Sequence, residues 1–294
     1  MAPINQPAAP SRPGGHADAP LALVNGRPIT LDDISASLLE AAGGEILEET
    51  VLDLALDAEA RRRGITISAD DLAHERALFL ESLADTGVSR DPAHAEDLLL
   101  QVRRARGLGP ERFDHLLRRS ALLRAMVRDD VVITDEMISL AHKIAHGERR
   151  RARLITTTTL AQAQKVVDAL AAGADFSEVA ARFSTDASAL RGGLVEPISP
   201  ADPSYPDALR RTLARLSPGQ TSGPIALDAG FAIVRLQAVI PPDDVSLDAT
   251  RQTLARRLRL QEERRRMTDL ANRLRGRSDV TILDPRLRFS ASSR

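Results

Sequence analysis

Residues 174–193 read ADFSEVAARFSTDASALRGG and predict a short helix, a polar loop and a tight turn. Asp175 is suited to cap the helix, because its side chain can accept hydrogen bonds from backbone N–H groups of the first turn. The apolar residues behind it recur at three- and four-residue steps, as on one helix face. These residues are Phe176, Val179, Ala180 and Phe183. Asp186 follows in the loop, and Gly192-Gly193 favours a positive-φ turn that leads into a strand.

On both sides of this stretch, residues 149–240 change between strand-like and helix-like periodicity. Asp228-Ala229-Gly230 supplies a turn between the last two strands. The order of the segments predicts an α+β module in which helices cover a mainly antiparallel four-stranded sheet. Strands are predicted near residues 153–158, 194–198, 221–227 and 231–240, and further helices near 160–170 and 207–216.

The two ends of the chain are predicted to form a second, helical domain. Asn25-Gly26 closes a small hairpin, and helices are expected from there to residue 148. Pro241-Pro242 ends the α+β module, and Ser246 then caps a long helix. Residues 280–283 are predicted to form a last strand that pairs with the hairpin. The expected domains are a flexible, proline-rich tail (1–20), the helical N-terminal domain (21–148), the α+β module (149–240) and a C-terminal segment (241–294) that packs on the N-terminal domain.

Opposite charges mark the two segments that are predicted to meet. Residues 31–60 hold nine acids and no Lys or Arg, whereas residues 251–277 hold ten Arg and three acids. Such opposite fields favour docking of the two segments, although each exposed ion pair contributes under about 1 kcal/mol. Two alternatives stay open: two independently solvated faces, or an Arg-rich helix that binds RNA without a recognisable RNA-binding motif.

Composition excludes several classes of function. The chain has no cysteine, so thiol catalysis, disulfides and thiolate metal sites are excluded. Six Phe, one Tyr and no Trp cannot form a dense stacking platform, and the net charge of -1 indicates no polyelectrolyte partner. No apolar run reaches the roughly 18 residues that a membrane span needs. We therefore expect no nucleic-acid partner and no membrane span.

A histidine pair raises the question of a metal. His142 and His146 are spaced as metal ligands on one helix are, but Lys143 stands where a zinc protease has its Glu, and no third ligand is evident. A solvated helix face is the favoured interpretation. The sequence predicts no metal and no cofactor.

Together these motifs resemble the parvulin-type peptidyl-prolyl isomerases. That family has the run G-A-D-F-x-x-x-A-x-x-[FY]-S-x-D before a Gly-Gly turn, matched here from Gly173 to Gly193. It also has G-x-x-S-x-P-[VI] before a final hairpin, matched from Gly219 to Ile225. The opening V-N-G-x-x-I-T at residues 24–30, with helices from both chain ends, resembles the layout of the SurA and PrsA foldases.

The resemblance implies where the site residues stand. The first histidine of the family falls on Leu154, its Cys or Asp falls on Asp186, and its second histidine falls on Ala232. Asp186 is then the predicted catalytic residue, with a plain turn cap as the alternative. Leu154 and Ala232 are expected to line the substrate site. Its apolar wall is predicted at residues that could equally be ordinary core residues, namely Leu194, Tyr205, Leu209, Leu213 and Phe231.

The resemblance also implies a function, the isomerisation of X-Pro bonds in proline-containing segments of unfolded or partly folded client proteins. This reaction needs an apolar grip on proline and a polar group at the carbonyl, but no metal. Because both histidine positions are apolar, the alternative is a chaperone that binds unfolded chains without catalysis. The expected location is periplasmic or otherwise extracytoplasmic if an export signal was removed, with the cytoplasm as the alternative.

Overall fold

A computed structural model of the chain describes residues 19–84 and 92–288. Of the predicted tail, residues 1–20, the first 18 residues lie outside the described ranges. The chain divides into two compact units: one holds the residues up to Asp130 and from Glu263 on, and the other holds Val131–Glu262. This division differs from the predicted domain limits after residues 148 and 240, which stay a prediction.

The first unit opens with the predicted hairpin. Strands β1 (Ala22–Val24) and β2 (Arg27–Ile29) pair antiparallel. Asn25 and Gly26 between them have φ angles of 52° and 82°, as in a type I′ turn. The helical elements of this unit follow in chain order: α1 (Leu31–Leu38), a π-helical turn (Leu39–Gly43), α2 (Gly44–Arg63), α3 (Ala69–Ala84), α4 (Pro92–Ala105), α5 (Pro110–Val127) and a 3₁₀ turn (Arg128–Asp130).

Local signals set the ends of these helices. The Thr30 N–H donates to the Asp33 carboxylate at 2.8 Å, which completes a capping box at the start of α1. Gly64 closes α2 with a φ of 66°, and Pro110 occupies the first turn of α5. Each of these signals acts within a few residues, and for this reason the helices are predictable from the sequence.

The core of the first unit forms where α2 and α5 pack against the C-terminal part of the last helix, α10 (Leu247–Arg277). Leu52 and Leu56 of α2 are buried there, together with Leu270 and Leu274 of α10. The two oppositely charged segments, residues 31–60 and 251–277, therefore meet through apolar side chains.

Acids of α2 form ion pairs with arginines of α5, whereas docking of α2 on α10 by opposite charge stays a prediction. Arg112 contacts Glu45 and Glu49 at 2.8 and 2.7 Å, and Arg119 contacts Asp53 at 2.7 Å. These partners are more than sixty positions apart in the sequence. Arginines of α5 thus neutralise acids of α2, and this pairing depends on how the helices pack. The net charge of a segment does not predict it.

The predicted last strand at residues 280–283 is wrong, because no regular element forms there and the hairpin is a two-stranded sheet among the described residues. The chain instead turns at Asp284, whose carboxylate accepts hydrogen bonds from the Arg286 guanidinium, and continues as a 3₁₀ turn (Pro285–Arg288). Leu287 then lies against Gly43, where an added Cβ would be 2.6 Å from the Leu287 Cδ2 atom. The packing of this segment overrides its β propensity, which depends on context.

The second unit contains the predicted α+β module. No helix within the described ranges is long and apolar enough to cross a lipid bilayer. The elements of this unit follow in chain order: α6 (Asp135–His146), β3 (Arg149–Thr157), α7 (Leu160–Ala171), α8 (Phe176–Phe183), a 3₁₀ turn (Ala187–Arg191), α9 (Asp207–Arg215), β4 (Ile225–Leu227), β5 (Gly230–Ile240) and the first part of α10.

The sheet of this unit is antiparallel, with the strand order β3-β5-β4. It has three strands within the described residues, and the predicted fourth strand is reduced to two isolated bridges, Leu194 with Arg153 and Ile198 with Arg150. Pro197 lies between these bridges and has no N–H to donate, so the ladder is interrupted at this edge.

The two faces of the sheet carry separate apolar clusters. Ile155 and Ile233 pack against α7 and α8 around the buried ring of Phe176. The opposite face is covered by α9 and the segment before it. We call the cluster on that side the α9-face cluster; it consists of Ala152, Ile198, Leu209, Leu213, Ile225, Ala232 and Val234, with Leu154, Val195, Tyr205, Ala208, Leu216 and Leu227 partly buried against it.

Helix α8 begins at the predicted cap. The Asp175 carboxylate accepts hydrogen bonds from the backbone N–H groups of Ser177 and Glu178 at 2.8 and 3.2 Å. The Glu178 and Ser177 amides hold the pKa of the Asp175 carboxyl below its usual value. The cap therefore stabilises the helix most when this carboxyl is ionised.

Asp175→Ala is expected to lower the Tm of the protein at neutral pH, and Asp175→Asn, which keeps an accepting oxygen, should remain closer to wild type. Because the folded-state pKa is lowered, the stabilisation is present above the unfolded pKa of about 3.9 and is lost as the pH falls through the folded pKa. The Tm difference between wild type and D175A, measured by circular dichroism from about pH 7 to pH 3, should narrow in acid. A difference that is constant over this range would contradict the assignment.

Candidate active site

The register of β3 and β5 brings both predicted histidine positions onto one face of the sheet. Leu154 pairs with Val234, and Ala232 pairs with Thr156. Since alternate residues of a strand share a face, Leu154, Thr156 and Ala232 lie together on the α9 face. Ala232 is fully buried, whereas Leu154 and Thr156 are half-buried. The side chains of Leu154 and Ala232 supply no polar atom to this face.

Helix α9 covers part of the face with two leucines. Leu209 and Leu213, one helical turn apart, are only 3% and 1% exposed. Together with Ala232 they form a buried floor under the site. This burial agrees with the alternative interpretation, in which they are ordinary core residues. Their predicted contact with a substrate stays a prediction.

Tyr205 precedes α9 and is held in place by an arginine. Arg210 donates hydrogen bonds to the backbone carbonyls of Tyr205 and Pro200 at 3.1 and 3.0 Å. The Tyr205 ring is half-buried against the α9-face cluster. Burial raises the pKa of the Tyr205 phenol, and the charges of Asp202 and Glu196 add to the effect. The phenol is therefore kept neutral and able to donate a hydrogen bond.

Asp186 lies in the loop after α8 and caps the following 3₁₀ turn. Its Oδ1 atom accepts a hydrogen bond from the Ser188 N–H at 2.7 Å. Its other oxygen, Oδ2, has no hydrogen-bond partner among the residues that the structure describes, and the side chain is half-buried. The predicted turn cap is thus present, and it leaves one oxygen for a ligand. The catalytic role of Asp186 stays a prediction.

The loop that carries Asp186 is tied to β3 at Thr156. The Thr156 N–H donates to the Ser184 hydroxyl at 3.1 Å, and the Thr185 N–H donates to the Thr156 carbonyl at 2.9 Å. The hydroxyl oxygens of Thr156 and Thr185 are 2.9 Å apart. These contacts bring the Asp186 loop to the strand position that is paired with Ala232.

Thr156 and Thr185 are site residues that the sequence prediction misses. The available signal is the alternation along β3, since Thr156 follows Leu154 by two positions and must share its face. Thr185 directly precedes Asp186 and is exposed. The contact between the two hydroxyls joins residues 29 positions apart, so it becomes visible only in the folded chain.

Two predicted wall residues are displaced from the site. Phe231 neighbours Ala232 in β5, so its side chain points to the other face, where it packs against the cluster around Phe176. The structure therefore corrects the prediction that Phe231 and Ala232 line the same pocket. Leu194 lies at the edge of the sheet, bridged to Arg153, and is 36% exposed. The site as folded brings together Leu154, Ala232, Tyr205 and the Asp186 loop.

The histidine pair of α6 contacts the segment that connects β5 to α10. The His146 Nδ1 atom lies 2.9 Å from an Asp243 carboxylate oxygen, and the His142 Nε2 atom lies 2.9 Å from the Val245 carbonyl oxygen. Within residues 19–84 and 92–288, no group of three or more His, Cys, Asp or Glu side chains could hold a metal ion.

Comparison with known proteins places this site within one family domain. A rotamase family model, the PPIC-type PPIase domain, matches residues 144–238. The parvulin domain of PpiD from E. coli is 35% identical over 33% of this chain and 92% of that domain, with a TM-score of 0.29. PrsA from Bacillus cereus is 18% identical over 94% of this chain and 98% of its own, with a TM-score of 0.38. No curated protein sequence matches the chain.

Proposed function

We propose that the protein is a foldase that isomerises X-Pro bonds in unfolded or partly folded client proteins. The proposal starts from residues 144–238, which form a PPIC-type PPIase domain. The observation that carries the proposal is that the matched segment contains β3, the Asp186 loop, α9 and the Ala232 position of β5. The whole candidate site therefore belongs to the family domain.

The reaction is a rotation, so the site has to grip and to polarise rather than to attack. Amide resonance sets a barrier of about 20 kcal/mol, and no covalent intermediate is needed to cross it. The half-buried side chains of Leu154 and Tyr205 offer an apolar surface for the proline ring above the buried floor. Exclusion of water by such a surface strengthens any hydrogen bond made at its border. The hydroxyls and the carboxylate of residues 184–186 stand at this border.

The test of the proposal is a protease-coupled cis-to-trans assay on short peptides that differ in the residue before proline. Wild type is expected to accelerate an exchange that takes tens to hundreds of seconds uncatalysed. Asp186→Ala should lower kcat/KM about tenfold, because it removes the carboxylate and the cap of the loop at once. Asp186→Asn keeps an oxygen for the Ser188 N–H and should lose less.

The two variants separate the roles of Asp186. Equal losses in D186A and D186N would assign the effect to the negative charge, and an unchanged D186N would assign it to the cap. If folded wild-type protein accelerates none of the peptides, the isomerase proposal is overturned.

A second candidate function, the holding of unfolded chains without isomerisation, is favoured by the apolar side chains at both histidine positions. Leu154 and Ala232 could bind apolar segments of a client without acting on proline. Aggregation of one client, in a proline-containing and a proline-free version, distinguishes the two functions. Equal suppression of both versions by a protein that is inactive on X-Pro peptides would support the holding function.

A further inference from the structure

We propose that the Thr156 hydroxyl, positioned by Thr185, is the group that hydrogen-bonds the rotating carbonyl of the X-Pro bond. The inference rests on the proposed isomerase function, and it assigns the polar role to a residue outside both histidine positions. It starts from the location of Thr156 on the sheet. This residue is directly paired with Ala232 and follows Leu154 by two positions, so its side chain projects from the same face as both.

The backbone of Thr156 is fixed by the loop that carries Asp186. Besides its sheet pairing, its N–H donates to the Ser184 hydroxyl, and its carbonyl accepts from both the N–H and the hydroxyl of Thr185, at 2.9 and 3.3 Å. The loop therefore fixes the backbone from which the Thr156 hydroxyl projects. A donor that is fixed before the reaction pays no reorganisation cost when charge develops on a substrate.

The hydroxyl pair leaves one proton for a ligand. When the Thr185 hydroxyl donates to the Thr156 carbonyl, its oxygen accepts from the Thr156 hydroxyl, 2.9 Å away. The Thr156 proton can then swing from Thr185 to a bound carbonyl by rotation about the Cβ–Oγ1 bond. Thr156 is half-buried and Thr185 is exposed, so both hydroxyls are within reach of a peptide on this face.

The chemistry of the neighbouring side chains leaves few other donors. Leu154 and Ala232 have none, and the carboxylate of Asp186 only accepts hydrogen bonds when it is ionised. Tyr205 packs against the α9-face cluster and carries a further hydroxyl. Unlike Thr156, it lies on the segment before α9 and not on the strand position paired with Ala232.

A hydroxyl donor has a consequence for the pH profile. Threonine does not titrate between about pH 5.5 and 8.5, whereas an imidazole changes charge within this range. We therefore expect a kcat/KM for X-Pro peptides that is flat over the range.

The experiment compares four variants of the full chain in the peptide assay. Thr156→Val keeps the β-branched shape and removes the hydroxyl, and it should lower kcat about tenfold with little change in KM, because the donor acts mainly in the transition state. Thr156→Ser keeps the hydroxyl and should stay within about threefold of wild type. Thr157→Val is the matched control, since this buried residue lies on the same strand and faces the opposite side. Tyr205→Phe removes the Tyr205 hydroxyl and tests it as the alternative donor.

The outcomes separate the inference from the function on which it rests. If T156V keeps the full kcat of wild type, the inference is overturned, but the proposed isomerase function stands. A fall of kcat in Y205F alone assigns the donor to Tyr205 and also overturns it. A loss in T156S as large as that in T156V, or an equal loss in T157V, would indicate a structural effect and count against it. A wild type without isomerase activity removes the proposed function and the inference together. Circular dichroism melts establish that each variant is folded.

Discussion

Replacing Gly193 by alanine should destabilise the PPIase domain by about 3 kcal/mol or more and abolish the isomerase activity that we propose for it. Gly193 adopts a φ of 77°, and an added Cβ would lie 2.5 Å from the Leu154 carbonyl oxygen. The obstacle is backbone and cannot rotate away. The Gly193 carbonyl also accepts the Leu154 N–H at 2.7 Å, so movement to relieve the clash would break the contact that holds β3 at the site.

Gly173→Ala is the matched control for this effect. Gly173 has a similar φ of 91°, but an added Cβ would meet no atom within 4 Å. The control should therefore cost only the left-handed conformation, about 1–2 kcal/mol. Urea unfolding followed by circular dichroism gives both values. Equal free energies of unfolding for the two variants would show that the close approach of Gly193 to β3 does not affect stability.

Arg124→Met is expected to destabilise the first unit by about 3–5 kcal/mol, because it removes the buried positive charge that Glu75 and Glu263 share. The Arg124 guanidinium donates to Glu75 of α3 and to Glu263 of α10. The three side chains are 12%, 6% and 7% exposed. One arginine thus joins three helices at a largely buried site.

Two controls test the explanation. The triple variant Arg124→Met, Glu75→Gln, Glu263→Gln removes all three charges and should recover much of the stability, since a buried ion network is costly to break but not to replace. Arg128→Met, at a side chain that is 57% exposed, should change stability by under about 0.5 kcal/mol. A triple variant no more stable than R124M would mean that the methionine packs poorly and that the charge is not the cause.

The site itself could be predicted in part. Leu154, Asp186 and Ala232 follow from the motif order, and the sheet register places Leu154 and Ala232 on one face. The prediction that Phe231 and Ala232 both line the substrate site fails, because consecutive residues of a strand face opposite sides of the sheet. Thr156 satisfies that alternation with Leu154, but only its contact with Thr185 identifies it as part of a polar group.

Elements whose signals act over a few residues follow directly from the sequence. The Asn25-Gly26 hairpin, the Asp175 cap of α8 and the Gly64 end of α2 are set by hydrogen bonds and dihedral angles within one turn of chain. Which distant segments contact each other depends on how the helices and strands pack. Packing brings acids of α2 to arginines of α5 and leaves residues 280–283 without a strand partner. Such pairings depend on which edges and faces lie next to each other after packing, and neither propensity nor charge along the chain contains that information.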